Sequence, residues 1–243
     1  MNDNAIALVT GGATGIGAEV CRQLAAAGAR VAICDVNEAD GAPLAESLGG
    51  EFLFCDVADL ASVEGAVAGC CARLGVPDYV HLNAGVMTVG RYDAYLALED
   101  VSVEQYRRII GVNVDGVFNG IKALLPPMRQ KGGAITVTAS IAGFAPMAID
   151  PLYGATKAAL ISLVRSVAAA NEGGSVRINA ICPGVVDTAI VPDAMSGTIP
   201  MMPPSAMAAE ILDLLSDGPS GEIRVKLNEE TPAFHVEPST LGR

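Results

Sequence analysis

Tryptophan is absent from this 243-residue chain, histidine occurs twice, and aromatic residues make up only 4%. Each scarcity excludes something. Two isolated histidines, His81 and His235, and six scattered cysteines without a Cys-x-x-Cys pair supply no zinc ligand set, so no metal is expected. No apolar run reaches the roughly 20 residues a membrane-crossing helix needs. The opening Met1-Asn2-Asp3-Asn4 also lacks the basic stretch of a signal peptide, so the expectation is a cytoplasmic protein with no membrane partner. There Cys34 and Cys55, each in an apolar run, read as reduced, buried thiols. Lys and Arg number 15 against 27 Asp and Glu, a formal net charge of −12, and they never cluster. Phosphate backbones need clustered cations, so no nucleic-acid partner is expected.

What is abundant is hydrophobic surface, 51% of residues. At this length one core can bury roughly 70–75% of the surface the unfolded chain exposes. Short apolar runs alternate with alanine-rich helical stretches. The runs are Ile6–Val9, Arg30–Cys34, Glu51–Cys55, Tyr79–Leu82, Ala134–Thr138, Val176–Ile181 and Glu222–Val225; the helices are Gly15–Ala27, Ala39–Leu48, Leu60–Leu74, about Ser102–Met128 and about Tyr153–Ala170. Continuously apolar strands separated by helices describe an α/β protein, a doubly wound parallel sheet of about seven strands covered on both faces. No linker divides it, so residues 1–243 read as one domain. Residues 190–204, with four prolines and three methionines, read as a lid loop, and 228–243 as a polar tail ordered only by neighbouring subunits, if at all.

The first strand runs into Thr10-Gly11-Gly12-Ala13-Thr14-Gly15-Ile16-Gly17, which opens a helix. Glycines there let the backbone turn tightly and approach a pyrophosphate, while the helix start offers free N–H groups and a positive dipole end. An ordinary strand-to-helix turn is the bland alternative. Asp35, at the end of the second strand, suits the ribose hydroxyls of an adenosine and repels a 2′-phosphate; Thr14, Val36 and Asn37 add no cation beside it. The cofactor expected is therefore NAD, against the alternative that Asp35 is merely a helix cap.

Tyr153 and Lys157 stand four apart on a helix, hence on one face. A phenol is a poor acid or base at neutral pH unless a nearby cation favours its ionised form. Ser140 follows the fifth strand, at the sheet edge where such folds bind ligands. An exposed i,i+4 pair is the competing reading, so the combination in this order matters more than the pair.

With these motifs in hand, nearly the whole chain resembles the single-domain short-chain dehydrogenases and reductases, a Rossmann-like family. The likeness rests on Thr10–Gly17, Asn83-Ala84-Gly85, Asn113-Val114-Asp115-Gly116, Ser140, Tyr153-x-x-x-Lys157 and Pro183-Gly184-Val185-Val186-Asp187-Thr188. The resemblance implies that Tyr153 exchanges a proton with the substrate oxygen, Ser140 hydrogen-bonds that oxygen, and Lys157 lowers the tyrosine's pKa and binds the nicotinamide ribose. It implies that Asn113 distorts its helix and holds a water reaching Lys157. Gly11, Thr14, Gly15, Ile16, Gly17, Asp35, Asp56, Val57, Asn83, Ala84, Gly85, Pro183, Gly184, Val186 and Thr188 would complete the NAD site. Leu82 stands where the family often has a further asparagine.

Substrate walls fall at Ala142, Phe144, Met147, Ile149 and Leu152, at Val86 and Met87, and at Ile190, Val191, Met195, Met201 and Met202. All are apolar, and no Arg or Lys stands among them. The reaction expected is hydride transfer between NAD(H) and an apolar, uncharged secondary alcohol or ketone. The alternatives are a catalytically silent NAD-binding sensor or scaffold, and an NADP-linked ketone reductase. The helix from Tyr153, apolar around most of its circumference, implies a homo-oligomer, by resemblance a dimer of dimers.

Overall fold

The computed structural model describes residues 4–193 and 200–237. Its strands are β1 (Ile6–Thr10), β2 (Arg30–Asp35), β3 (Glu51–Phe54), β4 (Tyr79–Leu82), β5 (Gly133–Thr138), β6 (Val176–Pro183), β7 (Ile223–Lys226) and β8 (Phe234–His235). All belong to one sheet in the order β3-β2-β1-β4-β5-β6-β7-β8. The first seven run parallel, and β8 turns back antiparallel on β7. The helices are α1 (Gly15–Ala26), α2 (Glu38–Ser47), α3 (Leu60–Arg73), α4 (Val103–Ile110), α5 (Gly116–Lys131), α6 (Pro151–Ala170) and α7 (Pro204–Ser216).

Because successive strand residues point to opposite faces, each strand feeds two cores. Leu8 of β1 packs with Val67 of α3, Leu124 and Met128 of α5, and Leu160 and Val164 of α6. Its neighbours Ala7 and Val9 pack instead with Leu24 of α1 and Met207, Ile211 and Leu214 of α7. Each fully buried leucine or isoleucine contributes roughly 1.5–3 kcal/mol. No helix of the described residues is long and apolar enough to cross a membrane, and none of their His, Cys, Asp and Glu side chains group to hold a metal.

Three features depart from the expectations. The single helix over 102–128 is two helices joined by a π turn, Gly111–Asp115, with Asn113 at its centre. Of the 228–243 tail, the described residues 228–237 have structure of their own: β8 pairs with β7, Val236 N donates to Ile223 O at 2.9 Å, and Arg165 Nη2 donates to Val236 O at 2.7 Å. Met202, read as part of the lid, is 2% exposed and forms an isolated bridge with Val186 beyond the end of β6, its N–H donating to Val185 O at 2.9 Å and its carbonyl accepting from Asp187 N at 3.0 Å.

The strand order reverses at β1 and β4. A crevice opens there, beyond the carboxyl ends of the strands, where doubly wound sheets take their ligands.

Candidate active site

The turn after β1 depends on its glycines. Gly11 and Gly15 have φ of 61° and 56°, the left-handed region that side chains disfavour. A Cβ on Gly17 would lie 2.0 Å from the Gly11 carbonyl oxygen, so this glycine lets α1 close on the turn without itself facing the cleft. No side chain caps α1, and Gly15 and Ile16 of its first turn line the crevice. Asp35 accepts from Ala13 N through Oδ2 and from Asn37 N through Oδ1, both at 3.0 Å, which fixes its carboxylate beside the turn. Asp56 and Val57 line the same end. Uncapped N–H groups, a glycine-rich turn and a fixed carboxylate together suit a dinucleotide.

Behind the turn runs a buried polar ladder. Asn83 Nδ2 donates to Gly11 O at 3.0 Å, which leaves its Oδ1 to accept from Thr138 Oγ1 at 3.1 Å. With that proton committed, Thr138 Oγ1 accepts from His81 Nε2 at 3.2 Å, and His81 Nδ1 accepts from Thr136 Oγ1 at 2.9 Å. The chain of partners thus assigns the Nε2–H tautomer. Complete burial holds the imidazole's pKa down at about 3, so it is neutral at any physiological pH.

Three chemically competent side chains meet at the middle of the crevice. Ser140 follows β5, where its hydroxyl accepts from Ala142 N at 3.1 Å. Tyr153 and Lys157 project from the first turns of α6; Lys157 Nζ donates to Thr138 O at 2.8 Å and lies 5.4 Å from the tyrosine ring centre. Burial pushes the Tyr153 phenol up to about 12, the charge of Asp150 adding to this and the Ser140 hydroxyl opposing it. Burial also brings Lys157 down to about 8, against a small upward pull from Cys182. Desolvation is the larger effect on both groups.

Asn113 is fully buried. Its Oδ1 accepts from Val86 N at 2.8 Å, and its Nδ2 donates to Val86 O at 2.9 Å and to Thr156 Oγ1 at 3.1 Å. Its side chain therefore ties the π turn to the loop after β4 and to α6, without lining the cleft.

The crevice measures about 850 Å³. Gly11, Thr14, Gly15, Ile16, Asp35, Asp56, Val57, Asn83, Ala84 and Gly85 line one end, and Pro183, Gly184, Val186 and Thr188 line its floor and far edge. Ala142, Met147 and Ile149 line the other end with Val86, Met87, Ile190 and Val191. Phe144 does not: it follows the 3₁₀ turn Ile141–Gly143 and is 43% exposed, directed away from the crevice. Leu152 and Met201 are also off the wall. Met195 lies outside the described residues. Lining residues the sequence left unnamed include Ile141, Pro146 and Pro192, and Cys55, which is buried yet borders the nucleotide end.

A dinucleotide crevice with a half-buried tyrosine and a buried lysine at its centre defines a nicotinamide-linked oxidoreductase. The family model described as short chain dehydrogenase matches residues 5–197, and the chain belongs to that family. A trans-4-hydroxycyclohexanecarboxylate dehydrogenase of Sinomonas cyclohexanicum is 34% identical over 75% of this chain and 73% of its own. A 3-beta-hydroxysteroid dehydrogenase of Comamonas testosteroni is 35% identical over 75% of this chain and 71% of its own. The solved structure of a 3-ketoacyl-(acyl-carrier-protein) reductase from Brucella melitensis, complexed with NADH, superposes with a TM-score of 0.84 at 25% identity, covering 94% of this chain and 98% of that one.

Proposed function

We propose that the protein is an NAD-dependent dehydrogenase of uncharged, apolar secondary alcohols, cyclic ones foremost, working with Asn113, Ser140, Tyr153 and Lys157. The observation that carries this reading is the composition of the crevice: Lys157, beside Tyr153, is the one basic residue lining it among the described residues, and the far wall is apolar. A carboxylate or phosphate on the substrate would find no partner there. The relatives named for a hydroxycyclohexane and a hydroxysteroid support a ring alcohol; the carboxylate in the first of those names is the part this lining does not favour.

In oxidation, the Ser140 hydroxyl donates to the alcohol oxygen, and Tyr153, ionised to its phenolate, takes the alcohol proton. A bound nicotinamide supplies the two-electron acceptor for the hydride on the carbinol carbon. Lys157, held by Thr138 O, keeps a cation beside the phenol at neutral pH and stands where the nicotinamide ribose would lie. Asp35 supports NAD over NADP, since it is a fixed carboxylate with the uncharged Val36 and Asn37 after it. The six free cysteines suit the cytoplasm. An exposed stripe of small residues on α6, Ala155, Ala158, Ala159 and Ser162, with Phe118 of α5 53% exposed, supports self-association, for which light scattering would return a multiple of the 24.7 kDa chain mass.

Tyr153→Phe is the test. Turnover of a panel of cyclic alcohols with NAD is expected to fall about 10²–10⁴-fold, the range for lost acid–base catalysis, with NADH affinity nearly kept. Unchanged turnover would overturn the reading in favour of another proton-transfer group, and a panel that turns over only with NADP would overturn the cofactor assignment.

A further inference from the structure

Asp150 is a carboxylate buried to 3% exposure that takes no direct part in the proton transfer described above. Every group bonded to it is a donor. Oδ2 accepts from Thr88 N at 2.9 Å, and Oδ1 accepts from Thr88 Oγ1 at 2.6 Å and from Tyr153 N at 3.0 Å. The last bond caps α6, which starts at Pro151, so the residue that caps the helix also bonds the backbone of the tyrosine itself. The first two join the start of α6 to the loop after β4, beneath the surface of the crevice.

That loop has little freedom. Val86 N and O are both held by Asn113, Met87 O and Thr88 O by Arg108 Nη2 at 2.9 and 3.0 Å, and Thr88 N by Asp150. Val86 and Met87 form one wall of the substrate end, Met147 and Ile149 the other. Asp150 is the bond between them. A carboxylate is an expensive group to bury, and one bonded to three donors resists movement as well as exposure.

We propose that Asp150 is a positioning residue for the reaction: it locks the start of the tyrosine-bearing helix to the fixed wall Val86–Thr88 and holds its carboxylate against the backbone N–H of Tyr153. This rests on the reading of Tyr153 as the proton-transfer group. The charge acts against ionisation of Tyr153 in the same direction as the larger effect of burial, so it favours the protonated phenol that reduces a ketone and raises the pH at which the alcohol is oxidised. The other groups facing Tyr153 are Ser140, from the turn after β5, and Lys157 on its own helix, with Cys182 of β6 behind that lysine. Facing Asp150 are Tyr95, whose phenol it also raises, and, across the loop, Arg108 of α4.

Ultraviolet difference titration of the phenolate, with Tyr153→Phe subtracted in each background, reads Tyr153 in the full-length protein without any substrate. In Asp150→Asn the Tyr153 step is expected to move to lower pH by about one unit, the small end of the effect of a close like charge. Thr88→Val keeps the charge and loses one bond to it; there the step should stay in place, while KM for a cyclic alcohol rises several-fold and kcat changes less. Should Asp150→Asn fail to fold, Asp150→Ser keeps a cap for Tyr153 N and removes the charge, with the same shift expected. A Tyr153 step unmoved in the charge-removing variant, or moved equally in Thr88→Val, would overturn the proposal. Full turnover in Tyr153→Phe would instead overturn the reading beneath it, so the two failures are distinct.

Discussion

The two ends of the crevice are built by opposite means. The nucleotide end is made of backbone: glycines whose missing Cβ atoms leave room, N–H groups at a helix start, and polar side chains such as Asn83 and Asp35 that hold the turn in place. The substrate end is made of apolar side chains standing on loops, Met87, Met147, Ile149 and Ile190, with polar bonds confined to the residues behind them. Backbone geometry tolerates almost no substitution, whereas an apolar wall can change residue by residue and keep its character. One end fixes what chemistry is possible; the other can be varied to choose the molecule.

Four perturbations probe that contrast. The largest effect is expected of Gly17→Val, which drives a side chain into the Gly11 carbonyl; the urea midpoint should show a loss of about 3 kcal/mol, the upper end for overpacking, with NADH binding abolished. Near-normal binding would mean that the turn is softer than its geometry indicates. Asp35→Ser should weaken NAD about 10- to 100-fold, the value of charge-assisted hydrogen bonds, and narrow the proposed preference over NADP by the same order, read by isothermal titration with both nucleotides.

Lys157 joins the two ends and responds to pH. Its folded pKa, about 8, lies below the value of 10.5 for a free side chain. Between those values the unfolded chain binds more protons, so the lysine's burial penalty is complete below pH 8 and is relieved as pH rises toward 10.5. Denaturation at pH 7.5 and 9.5 should show the wild type gaining on Lys157→Met by up to about 1.4 kcal/mol per pH unit; an unchanging gap would contradict the burial argument. The smallest effect is expected at the substrate wall. Met147→Ala should raise KM for a bulky cyclic alcohol at most about tenfold, with NADH affinity unaltered. A loss comparable to that of Gly17→Val would erase the distinction between the two ends.

The same contrast explains how far the sequence can be read. Strands β1 to β7 show as apolar runs, and the glycine turn, Asp35, Ser140 and the Tyr153–Lys157 spacing are legible because each needs a particular residue type at a fixed separation. Phe144 misleads, because hydrophobicity does not say which way a residue after a 3₁₀ turn points. Helix α7 had a signal that passed unread, Met207, Ile211 and Leu214 at intervals of four and three, next to a proline-rich stretch. Asp150 had none: its partner Thr88 is 62 positions away, and an aspartate before a proline looks like any helix cap. Strand β8 is too short to be read, and it is the edge of β7 that holds it.

A π turn contains about one residue more than the α turn it replaces, so the 103–131 segment is an ordinary helix carrying a single surplus residue. Removing any one residue of Gly111–Asp115 other than Asn113 would let the hydrogen bonds close at regular pitch, and one residue of an α-helix is about 100° of rotation. Asn113 would swing off Val86 and Thr156, or Val117, Ile121 and Leu124 would swing out of the core. The alignment of the crevice is thus stored partly as a number, the count of residues between two core-facing stripes, and a length change there would disable the site with every functional side chain still present.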